Sequence, residues 1–395
     1  GTRVFSLSGN VVRGGNYGLE LGTNGTPLAN LDNAVRVLEH EERPIFLEQF
    51  TGRIRPPDGE WPHGDDLDLT LEMQRRLGLA KMTPQIVNQA VVIYARQHSR
   101  DVMVEWLERL TWDGQDRIAG LLTRAYGVRD SEYSRAASSN FWKSLAARAT
   151  RPACKVDTML ILEGAQGAKK STSLRAIAGD TFFAEASEWP QSKDFFLALQ
   201  GKLLIEVGEM DSFSRGDVAA VKRTLSCPVD RFRAPYERAT RDWPRRGVFV
   251  GTTNKGDYLR DDTGGRRFWP VWCEFVDLDY IRENREQLFA EAVHRVKRGE
   301  SWWEMPDAET KAEQEARFQM DPWEEALAPH LDHLPSSAEV IVSDLLRIQL
   351  GMSAGQMDKA AQMRAASVLR RLKWERVDRW DPEKKKVRKA WKKCG

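Results

Sequence analysis

A short apolar run, a turn carrying two glycines and a helix-compatible segment follow one another at residues 158–178, and this order constrains the chain more than any other feature. Thr158–Leu162 reads TMLIL, the turn is Gly164-Ala165-Gln166-Gly167-Ala168-Lys169, and Lys170-Ser171-Thr172 opens the segment beyond. Glycines let backbone N–H groups wrap an anion, and the start of a helix adds a favourable dipole. In the pattern GxxxxGK[ST], Lys170 reaches the β- and γ-phosphates and Ser171 holds magnesium. The expected nucleotide-binding set is Gly164, Gln166, Gly167, Ala168, Lys169, Lys170, Ser171 and Thr172. The pattern asks for glycine where this chain has Lys169. If that position has helical angles, the side chain is tolerated and adds charge; if it needs a positive φ, the loop is strained.

Two further apolar runs follow, Leu203–Val207 (LLIEV) and Val248–Val250 (VFV), with helix-compatible stretches between. Near-continuous hydrophobic runs are the mark of buried parallel strands, and their alternation with helices predicts an α/β domain. Each run ends in polar residues. Glu206 and Glu209 close the second, as a strand end that serves a metal and a water would; Glu206 is preferred for the metal and Glu209 for the water. Asn254 stands just past the third, placed to sense a γ-phosphate. Arg266 and Arg267 lie on a glycine-bearing loop beside Phe268 and Trp269, and either suits an arginine finger. A finger supplied in trans requires subunits around a ring. Between the second and third runs, Arg231, Arg233, Tyr236, Arg238 and Arg241 interleave arginines with aromatics, continuing to Arg245 and Arg246. Such a segment, projecting as a hairpin into a central channel, can stack bases and neutralise phosphates. A solvated basic loop is the competing reading.

Charge is uneven. The chain nets +2, yet residues 364–393 hold 13 lysines and arginines against 4 acids, so the remainder is acidic. A basic tail on an acidic body fits a polyanion partner. The four cysteines (Cys154, Cys227, Cys273 and Cys394) are scattered without CxxC spacing, which argues against structural zinc and a disulfide framework. No apolar run reaches the length of a membrane helix, about 18 residues, and GTRVFSLSG lacks the form of a secretory signal. The first residue is Gly1, the mark of a processed or trimmed chain that leaves room for a domain upstream.

Apolar residues at helical spacing predict helices over Leu67–Leu77, Thr83–His98 and Val102–Leu110, with Thr83 capping and Pro84 at the first position. Trp106 and Trp112 read as core residues. Tyr280–Arg298 and Ala308–Phe318 are further helices. Ala338–Leu350, Met357–Leu372 and Trp374–Trp391 suggest helix, helix and a basic strand pair, the order of a winged helix-turn-helix. The expected domains are a mixed α/β-to-helical region at 1–110, an ATPase core at 111–300, a helical linker at 301–335 and a basic winged-helix-like domain at 336–395.

In order, EGAQGAKKST, LLIEVGEM, DRFRAPYER, VGTTN and DDTGGRRFWPV resemble the virulence-associated protein E family, a phage- and mobile-island-borne branch of the superfamily 3 helicases. WLERLTWDGQDRI and RPACKVDTMLILEG resemble that family's lead-in, and the likeness covers roughly residues 100–275 closely. The resemblance implies an α/β fold whose P-loop core is AAA-like with a parallel sheet. It also implies ATP and Mg2+ as cofactors, and a homo-oligomeric hexameric ring acting on single-stranded or forked DNA in the bacterial cytoplasm. By matching position it assigns Lys170 and Ser171 to nucleotide, Glu206 and Glu209 to the acidic strand end, Asn254 to the sensor and Arg266 or Arg267 to the finger. Lys169 looks like a variant within the family. A primase or another replication protein is an implied partner, and 3′-to-5′ movement the implied polarity; no paired-carboxylate primase signature is present. Two other readings stay open: a nucleotide-switched DNA-binding regulatory or interference protein that unwinds nothing, and a winged-helix DNA binder on a degenerate ATPase body.

Overall fold

The computed structural model describes residues 17–57, 59, 65–186, 193–210, 215–233, 240–254, 265–317, 321–335, 337–381 and 386–394. At its centre is a five-stranded parallel sheet: β1 (Met159–Glu163), β2 (Phe183–Glu185), β3 (Leu204–Val207), β4 (Val248–Thr253) and β5 (Phe268–Trp272). The spatial order is β2-β3-β4-β1-β5. β4 therefore lies between the strand that feeds the glycine loop and the strand that carries Glu206. The chain departs from β1 to the far edge and later returns to its other side, which puts a topological switch point at the carboxyl end of β1.

Alternate residues of the strands face opposite ways, and both faces are covered. Leu160, Leu162, Val250 and Trp269 join one core with helices Glu132–Thr150 and Leu278–Lys297. Met159, Ile161, Ile205, Phe249 and Phe268 join another with helices Lys193–Leu199 and Arg215–Ser226. This double burial explains why the strands read as unbroken apolar runs. Trp142 is fully buried, edge-to-face with Phe289 at 5.0 Å between ring centroids. Trp106 meets Phe289 from another side at 5.1 Å. Trp112, expected in the core, is instead half-exposed against His294, with its Nε1–H donated to the Gln115 carbonyl.

Within residues 19–95 a separate small core forms around helices Leu31–His40, Asp65–Leu77 and Pro84–Gln97, while Phe50, Met103 and Leu107 join the core of the sheet. Thr83 caps the last of these by accepting from the Ile86 N–H, with Pro84 in the first turn. Past residue 321, helices Pro322–Asp332, Val342–Ile348 and Lys359–Arg371 pack on an antiparallel sheet in which Lys386–Lys393 lies between Glu339–Val340 and Trp374–Asp381. The single helix expected over Ala338–Leu350 is split: Glu339 and Val340 pair with Lys392 and Trp391, and only then does the helix start. Val340 and Ile341 are β-branched, which suits them to a strand edge. Among the described residues no helix is long and apolar enough to cross a membrane.

Candidate functional site

The carboxyl ends of β1, β3 and β4 open onto a cavity of about 730 Å³. Gln166 through Thr172 form one wall, and Glu206, Gly208, Glu209, Thr252, Thr253 and Asn254 form the other. The loop is shaped by close approach. Gly164 has φ +147°, and a Cβ there would stand 2.6 Å from the Cys273 carbonyl oxygen. Gly167 has φ +79°. Helix Lys170–Ala178 begins with no side-chain cap, so its leading N–H groups take no hydrogen bond from a capping side chain.

Lys169 takes the left-handed conformation (φ 61°, ψ 23°) where the usual pattern has glycine. The strained alternative is the one realised. Its exposed side chain lines the cavity rim. A second non-glycine residue on the rim, Glu209, is also left-handed, at φ 52°. Two such conformations facing one cavity are a costly arrangement of the kind that clusters at functional sites.

Lys170 is buried to 7% exposure, and its ammonium donates to the carbonyls of Gly164 (2.7 Å) and Ala165 (2.9 Å) and to Asn254 Oδ1 (3.2 Å). Burial lowers its pKa, with Glu206 acting in the opposite sense. Glu206, 3% exposed, accepts on Oε1 from both the Ser171 hydroxyl (2.6 Å) and the Thr252 hydroxyl (2.7 Å). Its other oxygen, Oε2, is buried with no hydrogen-bond partner. A buried carboxylate oxygen left unpaired is expensive unless a cation completes it. The donor set, one carboxylate and a serine hydroxyl beside a glycine-bearing loop, fits magnesium, which keeps few protein ligands and takes the rest from phosphate and water. Among the described residues no three His, Cys, Asp or Glu side chains cluster as a cage.

Behind the loop, Tyr126 donates to Ser173 Oγ (2.8 Å), which donates to the Lys170 carbonyl (2.6 Å). Burial raises the Tyr126 pKa and pushes the Cys273 thiol up to about 12. Glu163, at the end of β1 and 1% exposed, accepts three 3.0 Å hydrogen bonds from Arg317. Arg317 ends the helix Asp307–Ala316, which packs along β5.

Arg266 and Arg267 lie elsewhere. They form the single turn Gly265–Arg267 just before β5, and β5 pairs with β1 from Met159↔Phe268 to Glu163↔Trp272. The arginines thus stand at the amino end of the sheet, four strand residues or about 13 Å from the rim where the loop begins. Arg266 is exposed, and Arg267 donates to Ser226 Oγ at 3.1 Å.

A model of the virulence-associated protein E-like domain matches residues 107–321, more than half of the chain and all of the cavity. The chain belongs to the virulence-associated protein E-like family. Among solved structures, the apo NrS-1 C-terminal region (305-718) is similar at TM-score 0.50 and 13% identity, covering 90% of this chain and 97% of that one. A second form of that region gives TM-score 0.49 and 12% identity over 92% and 99%. At 13% identity the first of these likenesses is one of fold alone. No curated protein matches significantly.

In this virulence-associated protein E-like chain, the basic aromatic segment forms an antiparallel hairpin, Val229–Phe232 against Arg241–Pro244. Arg231, Arg233 and Arg241 are exposed, and Arg231 faces Asp242 at 3.6 Å. Tyr236 and Arg238 lie outside the described residues. Phe232 stacks on Trp243 (5.4 Å, 17°) and on Phe196 (6.4 Å, 13°), fixing the root. Arg245 and Arg246 leave the basic surface: Arg245 is buried against Asp230, and Arg246 binds Asp101 and the Ala149 carbonyl. Sequence reasoning missed Thr252, whose hydroxyl shares Glu206 with Ser171. A Thr-Thr-Asn turn carries no local mark of that role.

Proposed function

We propose that the chain is a magnesium-dependent ATP hydrolase working as a ring-forming DNA helicase or replication-initiation ATPase of a phage or mobile element. The observation that carries this reading is Glu206: one oxygen held by Ser171 and Thr252, the other buried and unpaired at the mouth of a glycine-bearing loop.

Magnesium, if held there, would supply charge to offset that of the transferring phosphoryl group. Ser171 and Glu206 would hold it. The N–H groups of 166–172 would cradle phosphate oxygens, and Lys170 would exchange its loop carbonyls for the β- and γ-phosphates. Asn254, within 3.2 Å of the Lys170 ammonium, would touch the same terminal phosphate. Glu209, exposed on the opposite rim, orients or deprotonates the attacking water. Arg266 and Arg267 serve a neighbour's cavity, because their own lies at the far end of the strands. The exposed hairpin arginines meet single-stranded DNA, and the residues after 336 act as a basic winged-helix-like module.

The remoteness of Arg266 and Arg267 also favours a second reading, a nucleotide-switched DNA-binding protein that hydrolyses little and unwinds nothing. ATP turnover with and without magnesium and single-stranded DNA, followed by strand displacement on a forked substrate, separates the two. DNA-stimulated turnover with displacement is expected. Turnover without displacement selects the switch, and nucleotide binding that ignores Lys170→Ala removes both.

A further inference from the structure

The antiparallel ribbon Trp374–Asp381/Lys386–Lys393 reaches past the core that supports it. Side chains at 374, 376, 378 and 380 share a face with those at 393, 391, 389 and 387. At the inner end of this face, Trp374 and Trp391 are buried at 2% and 3% exposure, packed with Val368 and Leu369 of helix Lys359–Arg371. At the outer end, Trp380 and Val387 sit directly opposite one another at 62% and 57% exposure. They lie four strand residues, about 13 Å, beyond Trp391. A tryptophan and a valine side by side at the outer end of a ribbon expose apolar surface that folding leaves uncovered.

What surrounds that pair selects its partner. Arg376 and Lys389 are exposed on the same face, with Asp378 the acid among them, and Lys392 is exposed on the reverse. The supporting helix adds exposed Lys359, Gln362 and Arg370. Residues 364–393 as a whole carry 13 basic side chains against 4 acidic ones. An apolar partner surface gives no reason for that excess; a phosphate backbone does. A helix and a two-stranded ribbon are the two elements that a DNA groove admits, and apolar side chains that enter a groove wedge between base steps.

We infer that the outer end of this ribbon is a duplex-DNA contact in which Trp380 and Val387 form an apolar wedge between base pairs, with Arg376 and Lys389 on the flanking phosphates. The inference rests on the DNA reading above but not on the ATP site, and it names a surface separate from the hairpin at 229–244.

The test uses the full chain and a short fluorescent duplex, read by anisotropy across a salt series, beside single-strand-stimulated ATP turnover. Trp380→Ala combined with Val387→Ala is expected to weaken duplex binding by about tenfold or more, with single-strand stimulation kept. Trp380→Phe retains most of the affinity. Arg376→Ala with Lys389→Ala lowers the salt slope by about 0.9 for each phosphate that is no longer neutralised, whereas the wedge variant leaves the slope in place. Unchanged duplex affinity in the wedge variant, or no duplex binding by the parent protein, overturns the proposal. So does a wedge variant whose only change is a smaller oligomer by sedimentation, since the surface would then meet a second copy. Loss of single-strand stimulation in the parent protein instead counts against the helicase reading, and the duplex result stands apart from it.

Discussion

The Ser171 hydroxyl and the Glu206 carboxylate are joined by a 2.6 Å hydrogen bond across 35 residues of chain. One comes from the first turn of a helix and the other from the end of a strand that is not a neighbour of β1. The bond exists because β4 spaces the two strands and adds Thr252 to the same oxygen.

Glu206→Gln separates function from stability. The amide keeps an acceptor for Ser171 and Thr252 but removes a buried charge with an unpaired oxygen. Without nucleotide, the variant is expected to gain about 1 kcal/mol in denaturant unfolding. ATP turnover falls by about a hundredfold or more. A variant that loses both stability and turnover would mean that Glu206 is a structural acid.

Lys169→Gly relieves the left-handed conformation and is expected to stabilise the fold by about 1 kcal/mol. It also removes a cation from the cavity rim, so KM for ATP rises about two- to fivefold. Thermal melts and steady-state kinetics on the same preparation check both. A drop in stability would show that the Lys169 side chain holds the loop by more than its strain costs.

Glu163→Ala leaves the largely buried Arg317 guanidinium to its remaining partner Glu313 and is expected to cost about 1.5–3 kcal/mol. Replacing both partners, Glu163→Leu with Arg317→Met, recovers most of that stability. The urea midpoint at constant m-value reports the difference. If Glu163→Ala costs under about 1 kcal/mol, water reaches this pair.

The lowered pKa of Lys170 gives two pH effects of opposite sign. The folded chain releases this proton below the ordinary value of 10.5, so the unfolded state holds more protons in the interval between the two pKa values. Stability without nucleotide therefore rises with pH across that interval. ATP affinity falls across it, because phosphate needs the ammonium. Calorimetric titration and unfolding at matched pH values, with Lys170→Ala as the reference, isolate the lysine. Parallel trends would refute the assignment.

Lys170→Ala and Arg266→Ala are each expected to be inactive alone and to regain turnover when mixed, with Arg267→Ala behaving likewise if it is the finger. The position of the turn Gly265–Arg267 at the amino end of β5 requires a neighbouring chain for any such rescue. Absence of rescue at concentrations where a ring forms would leave both arginines structural.

The cavity wall was legible because each strand is buried on both faces and ends abruptly in polar residues, so 158–162, 203–207 and 248–250 stood out. Lys170, Ser171, Glu206 and Asn254 converge as that pattern implied. Strand order was not legible. Periodicity carries no information on which strand neighbours which, and so Arg266 and Arg267, close to the site in the motif sequence, lie at the other end of the sheet. The backbone angle at Lys169 was open for a similar reason: a lysine there is compatible with two conformations, and the closing of the loop selects one. Arg245 and Arg246 looked like their exposed neighbours, yet Asp230 and Asp101 draw them inward through pairings distant in sequence.

The three-ring column Phe196–Phe232–Trp243 joins the hairpin to helix Lys193–Leu199 on the second face of the sheet. Near-parallel rings at these separations lie within the range aromatic pairs favour, each pair adding about 0.5–1.5 kcal/mol beyond its burial. The foot of the hairpin is thus anchored to the helix that covers the sheet.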